Sequence, residues 1–508
     1  SARLYIVPNF SVEDVLLKAK SFSRKGDFFK SLELYQNVLE LFPNNIRAKV
    51  GLSKLKTSKF IDFSVPNQKV MNQIIELYNQ RLFEQVFFKI LVLIKDFPHS
   101  YVLWNMLGIT CMSSNRLEQA KDGFTKSIQL NPNFVDGHNN LGLVFLRYCK
   151  FEEAVECFKT AVHLNPDYTE AFYNMGIALE NIKFERPNND LQFYILQLLD
   201  KEIYVRPSAI SGSIISLIKC NPNINFFFKT DFNNEFSQLQ IQMVEELSNQ
   251  SLLIKLMSLL PIPDLEIELF LTKIRYFILF NILKVLNMPD ILKFQTALAL
   301  QCFINEYLYK ESDEETKLIE GLENSIQLTL LNNKEIDPIK ILCLASYRPL
   351  HIYSWCNLIS LPKQSEIIIK SQINNYILEK KLSSEMPVVE QINDLVSYKV
   401  RQQYEESPYP KWVNVGLHLK PFTINKLVEV IELKLVNKKI TSVISPDILI
   451  AGCGTGEHSL NTASRFKDSN ILAVDLSLRS LAYAKRRTNE LGIKNIKYMQ
   501  SDILNLKK

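Results

Sequence analysis

A period of 34 residues governs the N-terminal third of this 508-residue chain. Pro98, Pro132 and Pro166 fall at that spacing, as do Trp104, His138 and Phe172. So do Gly108, Gly142 and Gly176, each preceded by an apolar residue, Leu107, Leu141 or Met175. Ala120 pairs with Ala154, and Phe124 with Phe158. A chain built this way cannot close on one central core. Each unit is a single supersecondary element whose apolar face only its neighbours can cover. The small residues at 108 and 120 mark a close approach of two helices, and Trp104, Leu107 and Phe124 fill the seam between them. Pro132 stops the second helix. Weaker copies run from about Val12 to Pro43 and from about Val70 to Pro98, with residues 46–66 as a partial unit plus an insertion. After Leu179 the pattern decays through Glu185-Arg186-Pro187-Asn188.

These residues resemble the tetratricopeptide (TPR) repeat. The resemblance implies an α-solenoid whose first helices line a concave groove for an extended peptide. Asn105, Asn139, Asn140 and Asn174 recur on those first helices. An amide both donates to and accepts from a peptide backbone, so these four are candidate peptide-binding residues, similar to the ladder of TPR glycosyltransferases. The other reading of them is solvated helix surface.

Residues 190–395 carry apolar positions at helical spacing, for instance Leu191, Tyr194, Ile195, Leu198 and Leu199. Breaks fall at Arg206-Pro207-Ser208, Pro261-Ile262-Pro263, Glu311–Glu315 and Asp337-Pro338. Phe294–Tyr309 reads as the best packed helix, with Ala297 and Ala299 where helices cross, and the acidic run reads as a solvated loop. No catalytic constellation appears, so the region is an all-helical connector or a substrate-selecting cap.

The character changes at Asp447. Asp447–Ala451 reads as a short apolar strand, followed by Gly452-Cys453-Gly454-Thr455-Gly456 and a helix over Ser459–Phe466. A second strand, Ile471–Val474, ends in Asp475, a helix covers Leu478–Leu491, and a third strand, Ile496–Met499, leads to Asp502. This alternation predicts a parallel α/β sheet. The glycines admit a ligand against the backbone, and the following helix aims free N–H groups at it. Asp475 stands where a carboxylate accepts ribose hydroxyls, and Asp502 ends the third strand; open α/β sheets bind ligands at such strand ends. A dinucleotide fold prefers G-x-G-x-x-G; here the spacing is G-x-G-x-G with Asp502 added.

This set resembles the class I S-adenosylmethionine-dependent methyltransferases. The resemblance implies that Gly452, Gly454 and Gly456 line the methionine and ribose end of S-adenosylmethionine, that Asp475 binds ribose, and that Asp502 faces adenine. Ile450 stands where the family often has an acidic residue. Upstream, Val400 to Trp412 (VRQQYEESPYPKW) is similar to the lead-in of bacterial TPR–methyltransferase fusions. Such lead-ins often fold over the cofactor, so Tyr404, Tyr409 and Trp412 either shield a sulfonium, since aromatic faces attract cations, or pack the junction. The expected architecture is therefore mostly α followed by partial Rossmann-like α/β. Its parts are a repeat array over residues 1–185, a helical connector or cap over 186–395, and a lead-in plus N-terminal methyltransferase segment over 396–508.

Composition narrows the rest. With 59 Lys+Arg against 54 Asp+Glu, the net charge of +5 is too small for a dedicated nucleic-acid binder. Arg479, Lys485, Arg486 and Arg487 read as a solvated helix face, with RNA contact as the alternative. The eight cysteines and six histidines are scattered without metal-ligand spacing, so no metal site is expected and the thiols read as reduced and cytoplasmic. The most apolar stretch, Tyr276–Leu286, is broken by Lys284 and too short to span a bilayer. A chain that starts at Ser1 and writes three strands of a seven-stranded sheet reads as a fragment at both ends, for which weak cofactor binding and no turnover are expected. Three functions stay open: peptide or protein methylation, a TPR scaffold with a vestigial methyltransferase domain, and small-molecule or glycan methylation. The general base, acceptor atom and oligomeric state stay open too.

Overall fold

In the computed structural model the repeat glycines sit where helices touch. A Cβ at Gly108 would lie 2.6 Å from the Phe124 ring, and one at Gly142 would lie 2.5 Å from the Phe158 ring. Both rings are fully buried, so the seam closes only because those positions have no side chain. The structure describes residues 11–24, 28–57, 66–229, 237–286, 288, 291–389, 394–406, 408, 411–431 and 433–506. It divides into two compact units, Ser1–Tyr168 and Thr169–Lys508.

The first unit is helical hairpins. Tyr101–Ser113 pairs with Leu117–Leu130, and Val135–Arg147 with Phe151–Leu164. Ile74, Val86, Ile90, Leu103 and Phe124 belong to one of its buried clusters. Capping repeats along with packing. The Trp104 indole donates to the Pro98 carbonyl at 3.0 Å, and the His138 ring meets the Pro132 carbonyl at 2.8 Å. The turn inside each hairpin repeats as well. Arg81, Asn115 and Cys149 stand 34 apart, two residues past the first helix, with φ of 58°, 59° and 57°. The next residue's N–H reaches back five residues in each case, from Leu82 to Leu77, Arg116 to Cys111 and Lys150 to Phe145. That bond closes the helix end and holds the preceding residue left-handed.

The second unit opens with helix Thr169–Leu179. It keeps the repeat glycine, but a Cβ at Gly176 would meet Val205 at 3.2 Å rather than an aromatic ring. Asn188 then caps helix Asn189–Asp200 through the Leu191 N–H. Helices fill the middle, and the expected packed helix is Ile291–Ile304, buried on most sides including Ala297 and Ala299. The acidic run corrects our expectation of a solvated loop. Ser312 and Glu315 cap helix Asp313–Leu331 reciprocally. Glu315 is buried, accepts from the Tyr347 hydroxyl at 2.7 Å, and lies 3.6 Å from the buried Arg275 guanidinium. Glu311 grips Arg348 with both oxygens, at 2.7 and 2.9 Å. A buried arginine needs a carboxylate, and that need draws the run inward.

Three parallel strands follow: β1 (Asp447–Ala451), β2 (Asn470–Asp475) and β3 (Ile496–Gln500), in that spatial order. Ile448 pairs with Ile471, and Ile471 with Ile496. Helices Glu457–Arg465 and Leu478–Glu490 are the crossovers. The β3 side of the sheet is partly covered: the Val389 N–H donates to the Gln500 carbonyl at 3.0 Å, and the Gln500 N–H donates to the Pro387 carbonyl at 2.8 Å, so the segment before the lead-in flanks β3. Among the described residues no helix is long and apolar enough to cross a membrane, and no His/Cys/Asp/Glu group is placed to hold a metal.

Left-handed backbone disfavours most side chains by about 1–2 kcal/mol, and Asn tolerates it better. Cys149 is exposed at such a position. Cys149→Asn is expected to raise stability by about 0.5–1 kcal/mol and Asn115→Val to lower it by about 1–2 kcal/mol, read from denaturant midpoints.

Candidate functional site

The site forms where β1 and β2 end. The Gly452 and Cys453 N–H groups both donate to the Val474 carbonyl, at 2.9 and 3.0 Å, which folds the chain back over the neighbouring strand. Gly452 and Gly454 adopt φ of 71° and 52°, and a Cβ on either would meet nothing within 4 Å. The loop therefore presents bare backbone to open space. Gly456 differs. Its φ is 86°, and a Cβ there would lie 2.5 Å from that of Ala484 on the Leu478–Glu490 helix. Gly456 permits helix packing; Gly452 and Gly454 leave room beside the loop. Cys453 is buried, and burial, reinforced by Asp475, pushes its thiol well above the usual range, which keeps it protonated and inert.

Asp475 organises the loop. One carboxylate oxygen accepts the Gly454 N–H at 2.7 Å and the other the Ser477 N–H at 3.0 Å. Its carbonyl accepts the Ser501 N–H at 3.1 Å, tying in the end of β3. Asp502 comes next and is only 1% exposed. Its Oδ1 accepts the Leu504 N–H at 3.0 Å, while Oδ2 has no hydrogen-bond partner among the described residues. A buried carboxylate oxygen without a donor is costly, and a ligand with an amino group would satisfy it.

The lead-in docks on this site. The Trp412 indole donates to the Thr455 carbonyl of the glycine loop at 3.1 Å, and the Tyr483 hydroxyl donates to the Trp412 carbonyl. Trp412 is buried with Val415, Leu417, Ile450 and Leu460 and meets Tyr483 edge-to-face, so it packs the junction. Tyr404 is 40% exposed, and its carbonyl accepts from the Ser477 hydroxyl at 3.1 Å. Tyr409 lies outside the described residues. Glu405 went unnoticed as a contributor, although it sits in the conspicuous Tyr-Glu-Glu run. Its carboxylate accepts the Leu478 and Arg479 N–H groups at 2.7 and 3.3 Å, placing negative charge on a helix N-terminus.

The expected basic helix face is corrected by burial. Arg486 meets Glu379 and Glu490, each at 2.8 Å. Arg487 meets Glu490, Glu202 and the Val413 carbonyl. Both arginines are buried and matched by carboxylates, so neither belongs to a solvated surface.

The recurring asparagines are not equivalent. Asn105 and Asn139 are buried, and the side-chain amide of Asn140, half-buried, donates to the Asn105 side-chain Oδ1 at 3.0 Å. Those amides join neighbouring first helices. Asn174 belongs to the second unit.

The site residues fit S-adenosylmethionine on this geometry: two glycines facing open space, Asp475 at the loop, and the partnerless Asp502 oxygen beyond it. Residues 448–508 match the family described as a methyltransferase domain. Residues 101–134 and 135–168 each match a tetratricopeptide repeat family. A tRNA (guanine-N(7)-)-methyltransferase of Rubrobacter xylanophilus is 43% identical over 54 residues, 11% of this chain and 24% of that protein. A peroxisomal targeting signal receptor of Candida albicans is 32% identical over 103 residues, 18% of this chain and 17% of that protein. The chain thus spans about a quarter or less of the length of these relatives. Among solved structures, the MamA protein is 18% identical with a TM-score of 0.22, covering 37% of this chain and 90% of that one. YrrB, described as a TPR protein with an unusual peptide-binding site, is 15% identical with a TM-score of 0.21, covering 37% and 86%. The chain carries tetratricopeptide repeats and, near its C-terminus, methyltransferase-domain sequence.

The two kinds of glycine separate experimentally. Gly456→Ala forces a methyl into Ala484 at positive φ and is expected to cost about 2–4 kcal/mol. Gly452→Ala adds a methyl to open space and is expected to cost about 1 kcal/mol, from backbone strain alone. Urea unfolding of the two variants checks the order.

Proposed function

We propose that this chain contributes to methyl transfer from S-adenosylmethionine to a protein or peptide, with the repeats binding the acceptor. The observation that carries the reading is the pairing of an open-faced glycine loop, braced by Asp475, with the buried and half-satisfied carboxylate of Asp502. Gly452 and Gly454 would hold the methionine and ribose end. Asp475 would exchange its backbone donors for ribose hydroxyls, and Asp502 would accept from the adenine amino group. Gly456 sets the following helix, whose N-terminus adds a favourable dipole. The cofactor, when bound, supplies a methyl group on a positively charged sulfur. The chain's own share is orientation: Trp412 holds the glycine loop, and Glu405 holds the lead-in against the helix after Asp475. Holding two reactants in line is a large part of such a barrier.

Asn105, Asn139, Asn140 and Asn174 are the proposed peptide-contacting amides. Burial and pairing of Arg486 and Arg487 favour a protein acceptor over RNA, because the helix they share no longer offers their charge to phosphates. All eight cysteines are unpaired, which supports a reducing, cytoplasmic setting. A vestigial domain is disfavoured by Asp502, since a buried orphan oxygen has no structural benefit.

Calorimetric titration of S-adenosylmethionine into the chain tests the reading. Binding is expected, at least tenfold weaker for Asp475→Ala and several-fold weaker for Asp502→Asn, which keeps the cap to Leu504. A folded chain that takes up no cofactor would leave the repeats as the working part.

A further inference from the structure

A second groove lies within the Thr169–Lys508 unit, apart from the glycine loop's open side. It measures about 400 Å³, the size of a pocket for a small ligand or a long side chain. One wall is helix Thr169–Leu179 with its C-terminal turn, which supplies Tyr173, Ile177 and Glu180. The other wall comes from Tyr204–Arg206, Gly416–His418 and Asn461. The segments of this second wall are fixed to one another. Val415 and Leu417 donate their N–H groups to Glu202 and Ile203 at 2.8 and 2.9 Å, and the Asn461 amide donates to Gly416 at 3.0 Å.

The charges around this groove are unequal. Arg206 is matched by Glu457 at 2.6 Å, and Lys420 by Glu170 at 2.7 Å. Arg465 donates to the His418 ring at 3.0 Å and to Asn461 at 3.3 Å. Burial, with Arg465 adding to it, holds His418 below the usual imidazole range, so that ring is neutral at neutral pH. Glu180 is exposed and makes no ion pair among the described residues. It lines the same groove as Tyr173 and Tyr204, and a carboxylate with tyrosine faces is a setting for a cation.

We propose that this groove seats a lysine or arginine side chain of the acceptor peptide, with Glu180 as its counter-ion and Tyr173 and Tyr204 as its walls. The proposal rests on the peptide-methylation reading above and deepens it. Helix Thr169–Leu179 carries the third copy of the repeat pattern, Phe172, Met175 and Gly176, so its first-helix surface is of the class expected to meet an acceptor. The groove also adjoins the cofactor loop: Arg206 in its wall grips Glu457, the residue after Gly456. A basic side chain held there would anchor a peptide against the wall whose Arg206 reaches the first residue after the loop.

Disulfide capture on the full chain tests this without cofactor or turnover. Ile177→Cys places a thiol in the groove, and Ala209→Cys is the second attachment point should the first disturb folding. Each is equilibrated with cystamine, 2-hydroxyethyl disulfide or dithiodipropionate against fixed β-mercaptoethanol. Adducts are located by peptide mass spectrometry, which sets the native cysteines aside. Cystamine is expected to reach half-capture at about a tenth of the concentration needed by the neutral reagent, and Glu180→Gln is expected to abolish that preference. The disulfides of Cys-Gly-Lys-Gly and Cys-Gly-Glu-Gly form the peptide arm, and the lysine peptide is expected to exceed both its glutamate counterpart and cystamine. A preference for the anionic reagent, a cation preference that survives Glu180→Gln, or cystamine outcompeting the lysine peptide would each overturn the proposal. Failure of the methyltransferase reading would appear separately, as absent calorimetric binding with capture intact.

Discussion

Two adjacent buried arginines set the frame of the second unit. Arg486 and Arg487 lie on the helix after Asp475 and reach Glu379 in the helical middle, Glu202 near the start of the unit, Glu490 on their own helix and the Val413 carbonyl of the lead-in. Burial alone would push the Glu490 carboxyl upward, but the two guanidiniums outweigh it and hold it below the usual range. Arg487 also lies over the Trp412 ring, 5.0 Å from its centre. Replacing such a cluster wholesale with apolar residues is often neutral, whereas removing one partner costs about 3–5 kcal/mol. Its contribution is therefore placement: three separate stretches of chain are brought to one helix with a single set of partners.

That placement reaches the loop through short links. Trp412 is fixed beneath Arg487 and holds Thr455; Glu405 caps the same helix at its other end; Ser477 joins Tyr404 to Asp475. The two aspartates of the site are left in different states. Both oxygens of Asp475 are satisfied by backbone, so any ligand hydroxyl there exchanges one hydrogen bond for another and gains little net free energy. Among the described residues, Asp502 keeps a buried oxygen with no donor, so a ligand reaching it would relieve an existing penalty. On the proposed reading, selectivity for what binds would reside more in Asp502 than in Asp475.

Much of this was legible in the sequence, for a physical reason. Repeat glycines, helix-stopping prolines and seam aromatics are local requirements of a hairpin and recur wherever the hairpin does. The strand ends likewise appear where apolar runs meet Gly452 or Asp475, within a residue or so of the observed boundaries. What stayed hidden depends on partners far along the chain. Arg486 reads as surface until Glu379 is found beside it. Glu315 reads as loop until Arg275 and Tyr347 call for a carboxylate. Asn105 reads as groove lining until Asn140 bonds to it. Glu405 gave a hint by standing in a dense aromatic and acidic run, but nothing nearby says that it caps a helix that begins some seventy residues later.

The segment Pro387–Val389, which flanks β3, has a consequence for how the chain comes into being. Its partner, Gln500, lies roughly 110 residues further on. At synthesis rates of about 5–20 residues per second, the segment waits roughly 5–20 s before its partner exists. Val388 and Val389 remain about half exposed even after pairing, so during that interval an apolar edge stands open to any other nascent strand. The helical middle is complete by then, which makes the sheet the late and aggregation-exposed step in the life of each new molecule.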